Sequence, residues 1–460
     1  MDTEPPPATG PAMANSFLNE LLSTLSERGR GLLGRARGTA ASEGLATLGD
    51  QLLSGRGEAS GVALAGVLLE TYAAAPPKAR LAFLTALAER FGADRGKVEQ
   101  AIAAYREAPS QATLHALHLA AEPPRQELIR RLNLAPGGTA ALVRIREELL
   151  GHLAAVPALQ AVDDDFVHLF ASWFNRGFLV LRPIDWTTPA NILEKIIRYE
   201  AVHRIRGWDD LRRRLEPADR RCFAFFHPQL VDEPLIFVEV ALTRDIPDAI
   251  APLLAAEREP IRAQEATTAV FYSISNTQRG LAGVSFGNFL IKQVVEDLRR
   301  SLPGLKTFVT LSPVPGFAAW LNRERTAEEP ELLDPAIRNA LAGLDDPAWP
   351  EDAEKAEALR RPLLAAAATY FLKAKASSGL PADSVARFHL RNGARLERIN
   401  FKADESRQGL DQAHGLMTNY LYDLNQIEKN HEAFAAEGKL IAAAGVRKLM
   451  LHSIAARSRG

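Results

Sequence analysis

Ser312 stands in the stretch LSPVPGF, Leu311 to Phe317, directly before Pro313. Proline biases the residue before it toward an extended backbone. Pro313 and Pro315 have no backbone N–H to give a ladder, so the strand-like run Leu305 to Leu311 is expected to end there. A hydroxyl fixed at a strand end lies where open α/β sheets bind ligands. The same residues also fit a plain strand-ending turn. His389 lies in FHLRNGARLERIN, which reads as the last turn of a helix, an exit at Gly393 and then a strand. A histidine of near-neutral pKa suits proton transfer. A histidine merely hydrogen-bonded at a helix C-terminus, with its pKa raised, fits as well. Spacing alone does not pair His389 with Ser312. Tyr420 and Tyr422 share GLMTNYLYDL, where packed tyrosines with a bonded hydroxyl are the plain reading. Asp404, in KADES, suits either the orienting acid of a triad or a surface turn, the reading preferred here.

A strand, TAVFYSIS, leads into the loop NTQRGLAGVSFG and then the helix NFLIKQVVEDLRR. That order suits a pyrophosphate, since glycines let backbone N–H groups approach an anion and a helix N-terminus favours it. Gly280, Gly283 and Gly287 are the glycines concerned. The loop is neither a Walker A nor a G-x-G-x-x-G motif, and a glycine turn without ligand is the alternative. Phe286, Leu290, Val294 and Leu298 recur at helical spacing and form the helix's buried stripe. His115 and His118 sit three apart, but no carboxylate motif accompanies them as metal ligands.

These residues need positioning elements. Residues 1–14 read as a mobile tail and 15–189 as an all-helical domain, with breaks at AAPPKA, APS, AEPP and APGG. LVLRPIDW reads as a connection, followed by a helix from Ala190 to about Tyr199. Residues 190–460 then read as a mixed α/β domain. Its strands are Cys222 to His227, Leu235 to Thr243, Thr268 to Ser275 and Arg395 to Phe401. A helical insertion is expected at about 318–380, and a helical segment near Gly415 to Asn425.

The chain of 460 residues has a net charge of −1, which gives no bulk reason to expect nucleic acid or an anionic membrane. One cysteine, Cys222, excludes an internal disulfide and a C-x-x-C zinc site and suits a reducing compartment. The N-terminus MDTEPPPATGPAMANS has no basic start or apolar run, and PLLAAAATYFL is too short to span a bilayer. The expectation is a cytoplasmic protein with no membrane partner.

Read together, RYEAVHRIRGWDDLRRRL, AVFYSISNTQRGLAGVSFGNFLIKQV, LSPVPGF, FHLRNGARLERINFKAD and GLMTNYLY resemble the malonyl-CoA decarboxylase family. The resemblance implies an α+β fold: an N-terminal all-α helical bundle, then a GNAT-like mixed α/β catalytic domain. It implies conversion of malonyl-CoA to acetyl-CoA and CO2 with no metal and no cofactor. By the same resemblance the catalytic serine falls on Ser312 and the catalytic histidine on His389. Tyr422 matches a tyrosine near the family's active site. The CoA-holding loop falls on Ala282, Gly283, Val284, Ser285, Phe286, Gly287 and Asn288. Some relatives carry glutamate where this chain has Ser285. Family members tend to self-associate, so a homo-oligomer is expected, with the helical domain as its candidate interface. An acyl-CoA-dependent N-acyltransferase, a serine thioesterase and a CoA-binding protein without turnover are the rival readings. The thioesterase lacks its G-x-S-x-G elbow, having SPVPG instead.

Overall fold

The computed structural model describes residues 44–54, 57–284 and 290–454. The expected tail, and Ser285, Phe286, Gly287 and Asn288, lie outside them. The described residues divide into two compact units.

The first unit holds residues 44–180, Phe226–Glu233 and 278–284. Its helices are α1 (Leu45–Leu53), α2 (Glu58–Ala74), α3 (Pro77–Glu89), α4 (Arg95–Glu107), α5 (Gln111–Ala121), α6 (Pro124–Asn133), α7 (Gly138–His152) and α8 (Gln160–Trp173). The proline-marked breaks fall between them. Pro77 and Pro124 occupy first turns, where their missing N–H costs nothing. Asp94 caps α4, and Ser110 with Thr113 forms a capping box on α5. Leu68, Leu84, Leu128, Leu142 and Phe166 fill the core at 0% exposure; each such burial contributes about 1.5–3 kcal/mol. His115 and His118 lie exposed on α5.

The second unit carries most of a mixed sheet. Its strands are β1 (Val180–Ile184), β2 (Arg220–Phe226), β3 (Pro234–Thr243), β4 (Thr268–Asn276), β5 (Thr307–Thr310), β6 (Ser312–Pro313), β7 (Arg395–Asn400) and β8 (Met417–Leu421). The order is β1-β2-β3-β4-β5-β8-β6, with β7 on β8. β4 and β5 run parallel, whereas β3–β4, β5–β8, β6–β8 and β7–β8 are antiparallel. The class is α+β, as the resemblance implies. The helices used below are α9 (Ala190–Tyr199), α10 (Leu290–Ser301), α11 (Phe317–Thr326), α12 (Ala353–Lys373) and α13 (Ser384–Arg391). Leu290, Val294 and Leu298 are buried on α10, as their spacing predicts. α11 and α12 lie in the stretch expected to be helical.

Three expectations are corrected. LVLRPIDW is not a plain connection, since Val180–Ile184 forms the outer strand β1. The segment near Gly415 to Asn425 is not helical. It contains β8, in which Met417, Thr418, Asn419 and Tyr420 are all buried. Its β-branched and aromatic residues suit a strand paired on both sides. Nor does the ladder stop before Ser312. Ser312 pairs with Thr418 and Pro313 with Met417, continuing the register of Val309 with Leu421. The reason lies in alternation. Leu311 donates its N–H sideways to Phe271 O at 3.0 Å, so Pro313, two residues on, faces β4 as well. The β4–β5 register ends at Phe271 and Thr310, and the donor that Pro313 lacks is on that unpaired side.

Candidate active site

Three elements of the second unit converge. β5 and β6 supply Thr310 and Ser312, whose side chains share a face because they are two residues apart. β8 supplies Tyr420 and leads directly into Tyr422, whose N–H donates to Phe308 O at 2.9 Å. α13 supplies His389 from its last turn. Asp383 caps that helix through the Ala386 N–H at 2.7 Å, and Gly393 leaves it at φ 82°.

Ser312 Oγ lies 3.1 Å from His389 Nε2, though the two are 77 residues apart in sequence. Tyr422 Oη lies 2.8 Å from His389 Nδ1. Ser312 Oγ–H donates to Thr310 Oγ1 at 2.8 Å, and the Tyr420 N–H donates to the same oxygen at 3.1 Å. The Tyr420 ring stacks on the imidazole, with centroids 4.5 Å apart and planes at 25°. Ser312, His389, Tyr420 and Tyr422 are all at most 5% exposed.

Burial pushes the His389 pKa down to about 3. This departs both from the near-neutral value that suits proton transfer and from the raised one that its place at a helix end suggests. Desolvation penalises the imidazolium, and neither ring nitrogen is bonded to a carboxylate. A neutral imidazole carries one ring proton. Because the Ser312 proton goes to Thr310, Ser312 Oγ accepts from His389 Nε2–H. Nδ1 is then the acceptor for Tyr422 O–H, which burial keeps protonated by pushing its pKa well up. The proton order runs Tyr422 to His389 to Ser312 to Thr310. That order fixes one tautomer and aims the serine proton away from the histidine, the reverse of a nucleophilic serine.

The cluster thus brings together Ser312, His389 and Tyr422. It leaves out Asp404, which accepts from the Ser406 N–H at 3.0 Å in a turn. Ala282, Gly283 and Val284 follow the short helical turn Arg279–Leu281 of the first unit. Gly280 there has a packing role: a Cβ would lie 1.9 Å from Val143 O. Arg146, ion-paired with Asp163 at 2.8 Å, donates to Gly280 O at 2.7 Å. Sequence reasoning did not name Thr310, and it read Tyr420 only as a packed tyrosine. Each lies two residues before a chosen residue on the same strand face, the one signal available for them.

Tyr422→Phe removes the donor to Nδ1 and frees the ring to take the other tautomer. The expected result is a loss of about tenfold or more in turnover, little change in KM, and altered imidazole 15N shifts. Unchanged shifts would contradict the proton order.

His389 also enters acid stability. Its folded pKa lies below the unfolded value, so its contribution is whole above about pH 6.5 and is lost as pH falls toward 3. His389→Gln, which cannot titrate, should flatten the fall. Between pH 4 and 6 the slope of unfolding free energy should drop by about 1.4 kcal/mol per pH unit. Parallel curves for the two proteins, from urea melts at each pH, would contradict the buried neutral ring.

Residues 177–459 match the family model described as the malonyl-CoA decarboxylase C-terminal domain, and residues 91–174 match that of the N-terminal domain. The chain is 35% identical over 387 residues to the mitochondrial malonyl-CoA decarboxylase of Anser anser anser, covering 77% of this chain and 76% of that one. It is 34% identical over 404 residues to that of Rattus norvegicus, covering 81% and 82%. The crystal structure of malonyl-CoA decarboxylase from Rhodopseudomonas palustris superposes with a TM-score of 0.85 at 65% identity, over 88% of this chain and 98% of that one. That from Agrobacterium vitis gives 0.83 at 60%, over 88% and 99%. On these matches the chain belongs to the malonyl-CoA decarboxylase family.

Proposed function

We propose that the chain converts malonyl-CoA to acetyl-CoA and CO2, with Ser312 and His389 acting on the reacting carbons and Tyr422 fixing the imidazole. The observation that carries this reading is the buried, carboxylate-free relay from Tyr422 through His389 to Ser312. Loss of CO2 breaks the bond between C2 and the carboxyl carbon and leaves its electron pair on C2, delocalised onto the thioester oxygen. A hydrogen-bond donor aimed at that oxygen contributes about 3 kcal/mol. One proton must then be added to C2, so each turnover consumes a proton. Burial keeps His389 neutral in the free enzyme, and the malonyl carboxylate entering beside it raises its basicity. The imidazolium then supplies the C2 proton through the Ser312–His389 pair and returns to neutral. Ala282 to Asn288 hold the CoA thioester in this reading. In this reading the reaction needs neither a metal nor a cofactor.

The direct test is the product from malonyl-CoA. Acetyl-CoA and CO2 in equal amounts are expected. Free CoA, or an acylated amine with the malonyl group intact, would overturn the reaction class.

The partners in this reading are malonyl-CoA and acetyl-CoA, with no nucleic acid or membrane partner, in the cytoplasm. Among the described residues no helix is long and apolar enough to cross a membrane. The reading includes a homo-oligomer joined through the helical unit. Helices α4 and α5 bury no residue, and Leu114 and Leu119 are 45% and 56% exposed. Leu114→Glu with Leu119→Glu should lower the mass measured by light scattering while turnover per chain persists. An unchanged mass would remove this face as the interface.

A further inference from the structure

Gly316, the last residue but one of the LSPVPGF stretch, has ordinary right-handed geometry, at φ −94° and ψ −7°. No backbone strain calls for glycine there. Space does: a Cβ would lie 2.6 Å from the Tyr370 hydroxyl oxygen. Tyr370, on α12, is 2% exposed and is held by Phe317 and Trp320 of α11, at ring distances of 5.7 and 5.1 Å. Its hydroxyl donates to Asp383 Oδ2 at 3.4 Å. Asp383 is also 2% exposed, and its other oxygen caps the helix that carries His389.

These contacts form a closed circuit. One arm runs from Ser312 through Pro313, Val314 and Pro315 to Gly316, stiffened by two prolines. The other runs from Asp383 along α13 to His389, a capped helix with a fixed rise of about 1.5 Å per residue. Tyr370 stands between the arms at their far ends, and the 3.1 Å contact of Ser312 with His389 closes the near ends.

We propose that Tyr370 and Asp383 are positioning residues that set the separation of Ser312 and His389 from behind. They touch no reacting atom. They hold the two arms at one distance, Tyr370 as spacer against Gly316 and Asp383 as the anchor of the helix. This inference rests on the reading of Ser312 and His389 as the reacting pair.

The test is a cycle of Gly316→Ala, Tyr370→Phe and the double variant, measured for kcat, KM and the imidazole 15N shifts of His389. In Gly316→Ala the new methyl pushes the arms apart. Turnover should fall about ten- to a hundredfold with KM unchanged, since a displacement of about 1 Å costs on that order. Tyr370→Phe alone loses the tie to Asp383 and should lower kcat several-fold with shifted 15N signals. In the double variant the hydroxyl that met the methyl is gone, and kcat should recover to that of Tyr370→Phe. Wild-type kcat in Gly316→Ala, or losses that simply multiply in the double variant, would overturn the spacer. If Gly316→Ala does not fold, wild-type kcat and shifts in Tyr370→Phe overturn it. Should the unaltered enzyme leave malonyl-CoA untouched, the catalytic reading fails, and the 15N shifts still decide whether Tyr370 governs the imidazole.

Discussion

His389→Ala should lower kcat for acetyl-CoA formation at least about a hundredfold, the low end of what a positioned acid–base group contributes. The argument is the position of the ring. Among the described residues it is the one group bonded to both Ser312 and Tyr422, so its removal would end proton delivery and leave the buried Tyr422 hydroxyl without its acceptor, while Ser312 keeps Thr310. An unpaired buried polar group costs about 1–3 kcal/mol, so a modest drop in melting temperature should accompany the loss. KM should rise as well, because the malonyl carboxylate that raises the ring's basicity is bound more favourably beside it. His389→Gln, with no ring proton to transfer, should be as inactive and better folded. A His389→Gln enzyme within about tenfold of normal kcat would remove the histidine from the chemistry.

Ser312→Ala should cost at least about a hundredfold in kcat as well. Its hydroxyl accepts from His389 and donates to Thr310 at 2.8 Å, and alanine can do neither. The two losses should not add. Residues that act as a unit show strongly non-additive effects, so the double variant should be scarcely slower than either single one. Free-energy losses that sum in the double variant would mean that serine and histidine serve separate steps. Near-UV circular dichroism of each variant separates lost chemistry from lost packing.

Much of this site was legible in the chain because local rules and geometry agreed. LSPVPGF marks a fixed hydroxyl through its prolines, and FHLRNGA marks a helix end through its glycine. The strands β2, β3, β4 and β7 announced themselves as short β-branched and aromatic runs with turn residues at both ends. The helical domain was equally plain, since its prolines stand where first turns tolerate them. Met417–Leu421 was misread because both faces of that strand are buried. With Thr418 and Asn419 buried as fully as their apolar neighbours, the run lacks the alternation that marks a strand. Thr310 went unnamed and Tyr420 was read only as packed for a related reason: their places beside the pair follow from register across strands. The His389 pKa was misjudged because burial is a property of the whole unit, and a helix end alone suggests the opposite direction.

The strand β8 is paired with β5 and β6 on one side and with β7 on the other, yet it is the last strand among the described residues. Thr310 and Ser312 therefore meet His389 and Tyr422 only through contacts between distant parts of the sequence. Such contacts form slowly, because loop closure must precede them. During synthesis the first four strands can emerge and associate while the place between β5 and β7 still waits for its strand. We expect refolding to show most of its far-ultraviolet circular dichroism before decarboxylation returns. Simultaneous recovery would contradict this order. A nascent chain arrested before Met417 would expose the open edges of β5 and β7, the kind of surface on which unfinished chains aggregate.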